Sequence, residues 1–306
     1  MKRNGVQRSL WDSVQSYWRW KQSNVAAAAS ATGAAAAVRG GKNGGLGEAG
    51  LGHGNVPTST FFPSLLSSSS PLDAVKGVVR DRRTCRRFDP TRPVDLDVLN
   101  DILAVTVRAP TSLNLQPWVA VVVCEEEQRA ALSRAALSQP QPRDAPVTIV
   151  FAGDMEPERN APAALEHGLE SGYLDPMYGA NYLRNTYYLL HGGPVESISH
   201  IKSFLSAWYS KATGHPLLSV PTSKQGYAWK QAMIPVTTFL YLATAAGFDT
   251  GILEGFDEAQ VKQVVGLPPR FTVPVIMCVG YGAKDGFHSV RSPRFETRHL
   301  IRWGKF

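Results

Sequence analysis

Arg80-Asp81-Arg82-Arg83-Thr84-Cys85-Arg86-Arg87-Phe88, followed one helix-length later by Ala109-Pro110-Thr111-Ser112-Leu113-Asn114-Leu115-Gln116-Pro117-Trp118, is the stretch on which the reading of this 306-residue chain turns. Its first half sets five arginines within eight residues, with Thr84 among them and an aromatic at the end. Guanidinium forks bind phosphate bidentately and a threonine hydroxyl adds a further hydrogen bond, so the pattern suits a phosphate ester. A solvated basic face is the bland alternative, and the interleaving of Thr84, Cys85 and Phe88 with the charges weighs against it. The second half is a polar loop closed by a proline and a tryptophan. Carboxamides offer donors and acceptors together, which suits the edge of a heterocycle, and the same residues also suit a capped surface turn.

Outward from this stretch the apolar spacing predicts the elements. Asp73 to Asp81 reads as a short helix with Val75, Val78 and Val79 on its buried side. Asp95 suits an N-cap, and Leu96, Leu99, Ile102, Leu103 and Val107 continue at helical spacing to Pro110. Trp118 to Cys124, Pro146 to Ala152 and Val273 to Gly280 read as three buried strands, with a helix from Glu125 to Ser138. Tyr227 to Ala246 is a long apolar helix interrupted by Pro235 and ended by Gly247, better suited to a centre or interface than to a surface. Asp257 to Val265 is a further helix. Residues 155–226 form a helical excursion rich in aromatics: Tyr173, Tyr178, Tyr182, Tyr187, Tyr188, Phe204, Trp208 and Tyr209. Core and dimer packing is the expectation for most of them.

Composition bounds the function classes. Of the formal net charge of +7, +5 falls on residues 1–70, where seven Lys and Arg face only Asp12 and Glu48. The body is therefore close to neutral, which argues against a nucleic-acid footprint. Three scattered cysteines make no disulfide framework or zinc site, and no window of 18 apolar residues predicts an integral membrane segment. Residues 1–22 are basic, acid-poor and amphipathic, and Ala-, Gly- and Ser-rich sequence follows to residue 70. This is the pattern of an organelle transit peptide and linker, with mitochondrial import as the expectation and a disordered basic tail as the alternative. Gly45-Leu46-Gly47-Glu48-Ala49-Gly50 satisfies GxGxxG formally, but no strand precedes it and no helix follows it. HExxH, GxSxG and GxxxxGK[ST] motifs are absent from the sequence, and no histidine pair has metal-ligand spacing.

The two halves of the opening stretch, in this order and at this separation, together with Leu253-Glu254-Gly255, resemble the signatures of the FMN-dependent nitroreductases over about residues 72–306. The resemblance implies an α+β fold: a small mixed β-sheet flanked by helices around one long central helix, in an intertwined homodimer. It implies FMN as cofactor, with Arg82, Thr84 and Arg86 gripping the phosphate and ribityl chain, Arg83 contributing mainly through its backbone, and Arg291 and Arg294 supplying further cations. Pro110, Thr111, Ser112, Asn114 and Gln116 would reach the flavin of the other subunit. Leu253, Glu254 and Gly255 would lie beside N5, with the Gly255 N–H directed at it. Arg86 and Gly255 are the residues it puts nearest the chemistry, which is transfer from NADH or NADPH to nitroaromatic or quinone acceptors, one substrate at a time. The family's Asn and Lys before the second strand are missing here, where Ser138-Gln139-Pro140-Gln141-Pro142 stands, so Arg86, Gln141 or backbone must serve the pyrimidine edge. A reductive dehalogenase-like or flavin-modifying relative, and a non-catalytic flavin-binding organellar protein, stay open as alternatives.

Overall fold

The computed structural model describes residues 70–283 and 292–306. The expected transit segment and linker, and Arg291, lie outside the described residues. The chain divides into two compact units. In their described parts, one comprises 70–112, 116–155, 223–283 and 292–306, and the other 113–115 and 156–222.

The larger unit contains helices α1 (Pro71–Asp81), α2 (Leu96–Thr106), α3 (Glu126–Ala135) and α4 (Gln141–Asp144), with strands β1 (Trp118–Val123) and β2 (Val147–Asp154) between and after them. The smaller unit supplies α5 (Ala161–Glu170), α6 (Pro176–Leu190) and α7 (Ser197–Thr213). The chain then returns to the larger unit through α8 (Lys224–Ala245), β3 (Asp249–Leu253), α9 (Glu258–Val265), β4 (Phe271–Gly280) and α10 (Thr297–Leu300).

The sheet has the order β1-β2-β4-β3. All three of its ladders are antiparallel, so the small sheet is present as expected but is not mixed; a parallel pairing occurs as an isolated bridge between Thr84 and Thr250, outside the ladders. Every residue of β2 is buried, because the sheet is covered on both faces. Alternation sends Val147, Ile149 and Phe151 to one core with Leu99, Ile102, Val236 and Phe239 of α2 and α8. Val150 and Ala152 go to the other with Leu132, Ala135 and Val261 of α3 and α9. Fully burying a side chain of this size stabilises by roughly 1.5–3 kcal/mol, so each core contributes heavily. Gly153 lets α8 come down on β2: a Cβ there would lie 2.5 Å from the Ala228 carbonyl oxygen.

Local signals explain the boundaries. Asp95 Oδ1 accepts from the N–H groups of Asp97 (2.9 Å) and Val98 (3.3 Å), starting α2. α8 continues through Pro235 and ends before Gly247, which takes φ +82°. β3 is the strand that apolar patterning misses; its sequence Asp-Thr-Gly-Ile-Leu carries too few apolar residues to stand out. The expected buried side of α1 fails at Val75 and Val79, and most aromatics of 155–226 do not enter the core of the single chain. Val75 and Val79 are exposed, α1 having no buried residue, and of the aromatics in 155–226 only Tyr182 is buried and Tyr187 half-buried. Apolar spacing alone does not tell a buried face from an exposed one.

In the smaller unit, the Tyr182 hydroxyl donates to the Leu113 carbonyl (2.7 Å) and Asn160 Nδ2 to that of Leu115 (2.9 Å). Lys202 of α7 donates to the carbonyls of Tyr188 and His191 at the end of α6. Burial lowers the Lys202 pKa from its ordinary value, partly opposed by the Glu158 carboxylate.

Candidate cofactor-binding and active site

The arginine-rich stretch leaves α1 at Asp81 and runs beside the sheet edge. Cys85 N–H donates to the Thr250 carbonyl of β3 at 2.7 Å. Further on, Asp89 N–H donates to Tyr281 (2.8 Å) and Ala283 N–H to Arg87 (3.0 Å). This stitching fixes which side chains face in. Cys85 and Phe88 are buried in the α3/α9 core, while Thr84, Arg86 and Arg87 are exposed. The close approach depends on Gly251, where a Cβ would stand 2.6 Å from the Cys85 carbonyl oxygen.

Arg82 Nη1 donates to Thr84 Oγ1 at 3.4 Å, so two of the expected phosphate-gripping side chains meet. Arg82 Nε is buried without a hydrogen-bond partner. A buried guanidinium donor left unpaired is costly, and an anionic phosphate is the kind of group that satisfies it. Arg83 is half-buried and donates to the Arg80 carbonyl (3.5 Å), a local contact that fits a backbone role better than a phosphate grip. The residues present therefore fit a phosphate-bearing cofactor.

The same bridge that holds Thr84 leads along β3 to Leu253, Glu254 and Gly255. Leu253 is buried, and Glu254 and Gly255 are exposed. Gly255 does not take positive φ, and a Cβ there would meet only Gln139 Nε2 at 3.5 Å and Leu137 Cδ1 at 3.9 Å, ordinary contact distances. The protein itself has room for a side chain at 255, so its own packing does not demand glycine.

Gln139 donates from Nε2 to the Gly255 carbonyl at 2.9 Å. Sequence reasoning singled out neither Gln139 nor the exposed Leu137 for the Gly255 side of the site, since no local motif marks a contact between positions so far apart in sequence. Gln141, expected as an alternative for the pyrimidine edge, has a buried Oε1 with no hydrogen-bond partner, an acceptor available to a ring N–H. The second polar loop is built tightly. Thr111 Oγ1 accepts from Gln116 N–H (2.9 Å), and the buried Gln231 of α8 accepts from Ser112 N–H (2.8 Å). Leu113, Asn114 and Gln116 all have positive φ. Pro110 is exposed, and Asn114 belongs to the smaller unit. Arg294 makes local bonds to Ser292 and Pro293 and lies on an exposed C-terminal segment; no contact brings it to Arg82 or Thr84.

Other chemistries find no support here. Burial pushes the Cys278 thiol far above its ordinary range, and Cys124 is raised for the same reason, so neither is a ready nucleophile. Among the described residues no three His, Cys, Asp or Glu cluster to hold a metal ion, and no helix is long and apolar enough to cross a membrane.

The model of the nitroreductase family matches residues 79–281 of the chain. An NADH dehydrogenase of Thermus thermophilus is 28% identical over 238 residues, covering 78% of this chain and all of that protein. An oxygen-insensitive NADPH nitroreductase of Helicobacter acinonychis is 22% identical, covering 74% and 95%. Among solved structures, a nitroreductase-like protein from Streptococcus mutans has a TM-score of 0.58 at 18% identity, covering 76% of this chain and all of that one. A chain from Exiguobacterium sibiricum, solved in complex with FMN, has a TM-score of 0.56 at 20% identity, covering 75% and 96%.

Proposed function

The chain belongs to the nitroreductase family, and from that membership we propose that it is an FMN-dependent oxidoreductase carrying electrons from NADH or NADPH to small nitroaromatic or quinone acceptors. The observation that carries this reading is the bridge of Thr84 to Thr250, which binds the arginine-rich loop to β3. Two residues past the end of β3 the chain reaches Gly255, which has no side chain and no packing reason to lack one. The arginine-rich loop and the open backbone at Gly255 thus both adjoin β3, one bridged to it and the other following its end.

When bound, FMN supplies the electron relay, taking two electrons from the nicotinamide and giving them to the acceptor. The residues of this chain bind and orient it. Arg82 and Thr84 hold the phosphate, with Arg294 as an additional cation once the C-terminal segment is in place. Arg86, exposed one residue beyond the buried Cys85, is the cation for the ring's pyrimidine edge and favours negative charge there. The Gly255 N–H would serve the N5 edge of the bound ring. Both substrates use the open face beside Gly255 in turn, so turnover is ping-pong.

We further propose that the working form is a homodimer in which Thr111, Ser112, Asn114 and Gln116 serve the partner's flavin. Exposed apolar side chains support this: Leu72 and Val75 on α1, and Phe295, Trp303 and Phe306 in the C-terminal segment. Residues 1–70 direct the chain to the mitochondrion, a proposal supported by their basic, acid-poor composition. The test is steady-state kinetics on purified protein with NADH or NADPH against a quinone and a nitroaromatic. Parallel double-reciprocal lines support the reading; lines that intersect, or no flavin-dependent turnover, sink it.

A further inference from the structure

We infer that Gln139 is a positioning residue for the reaction, acting through Gly255. The inference rests on the reading that the Gly255 N–H faces the flavin. α3 does not end in a relaxed turn. Leu137 and Ser138 both take φ near +57°, at +56° and +58°, although neither is glycine or asparagine. Left-handed conformation costs an ordinary residue roughly 1–2 kcal/mol, so this turn is held by its surroundings. Three bonds hold it: Gln139 N–H donates to Ala136 (3.0 Å), Ser133 Oγ donates to the Gln139 carbonyl (2.6 Å), and Asp257 N–H donates to Ala135 (2.8 Å).

The last of these bonds ties the segment after Gly255 to the end of α3, and the Gln139 carboxamide ties Gly255 itself at 2.9 Å. The double left-handed turn therefore delivers one side chain onto the residue whose backbone faces the ring. A glycine with open space around its Cα has wide φ/ψ freedom. Holding its carbonyl from one side restricts ψ and with it the orientation of the adjoining peptide planes. Leu137, exposed and 3.9 Å from where a Gly255 Cβ would sit, lines the same space with an apolar surface.

The experiment compares Gln139→Ala and Gln139→Glu with wild type, full-length and loaded with saturating FMN. It reads the midpoint potential of the bound flavin, its anaerobic reduction rate by NADH and NADPH, and the melting temperature without FMN. The expected result is a shifted potential and a reduction rate lowered about five- to tenfold in both variants, the factor that one hydrogen bond corresponds to. FMN affinity stays within about threefold, because the phosphate grip is untouched. Gln139→Glu keeps the side-chain volume if the alanine variant fails to fold, and it adds a second signature. Its ionised carboxylate cannot donate, but its protonated form can, so its rate recovers toward wild type as pH falls while that of Gln139→Ala does not. Wild-type potential and rate in both variants, with only the melting temperature lowered, would make Gln139 a mere tether and overturn the inference. If wild type itself takes up no FMN, or its flavin is reduced by neither nicotinamide, the reading of Gly255 fails and the inference with it. If Gly255→Ala impairs reduction while the Gln139 variants do not, that reading stands and this inference alone falls.

Discussion

Gly255→Ala separates a glycine required by the protein from one required by what the protein binds. The added Cβ would lie 3.5 Å from Gln139 Nε2 and 3.9 Å from Leu137 Cδ1, with no positive φ to strain it. No clash follows, and alanine lowers the conformational entropy of the unfolded chain, so the protein without FMN should be unchanged or more stable by about 0.4–1 kcal/mol. In a chain of this size that raises the melting temperature by at most roughly 2–4 °C. The methyl group should nevertheless disturb whatever approaches the 255 backbone. A displacement of about 1 Å at a reacting centre costs on the order of a hundredfold in rate. The assay is differential scanning calorimetry of the FMN-free protein, paired with stopped-flow reduction of the FMN-loaded variant by NADH and NADPH. A protein destabilised by more than about 2 kcal/mol, with reduction per folded molecule intact, would show that packing demands the glycine. The reasoning would then be refuted.

Three other outcomes follow from the geometry. Arg82→Ala should weaken FMN binding at least tenfold by fluorescence titration, since a charge-assisted hydrogen bond contributes about 1.5–3 kcal/mol, while unfolding in urea changes little. Gly251→Ala forces a Cβ to 2.6 Å from the Cys85 carbonyl oxygen, against backbone that cannot swing away. It should cost about 1–3 kcal/mol in denaturant titration and weaken FMN binding, because Thr84 and Arg86 flank the displaced residue. Asp257 caps α9, and its pKa is lowered by the Gln260 backbone N–H first, then by the Gln260 side chain and the Ala259 N–H. Its contribution to α9 is complete above its ordinary value near ~4 and disappears as pH falls through the lowered folded value. Relative to the intrinsic exchange rate at each pH, amide protection at Ala259 and Gln260 should fall over that acid range in wild type, and in Asp257→Ala it should be low and unchanged across the range.

The framework was largely legible in the sequence because it is written in long apolar runs. β2 and β4 are buried on both faces, and α8 presents Val236, Phe239, Leu240 and Ala243 to one of them, so period and length identify each element. β3 was not legible, since Asp249-Thr250-Gly251 is polar and small. It pairs because Gly251 admits the Cys85 carbonyl, a contact between residues far apart in sequence. The arginine loop could be read as a phosphate grip from residue types alone. The bond from Gln139 to Gly255 could not, because the turn that aims it uses a leucine and a serine in a conformation normally marked by glycine or asparagine. Exposed Val75 was read as buried because helical spacing of apolar residues marks a face without saying whether the same chain covers it.

Residues 82–86 and 253–255 are proposed to build one FMN-dependent site that takes electrons from a nicotinamide and gives them to an acceptor. The most direct test is an anaerobic titration of protein purified with FMN, first with NADH or NADPH and then with a quinone, following the flavin absorbance. The account predicts bleaching by the nicotinamide alone and return of colour on adding the quinone, with Arg86→Ala at full FMN occupancy showing a lower midpoint potential and slower bleaching. A protein that retains no FMN contradicts it, as does bound flavin that neither nicotinamide bleaches.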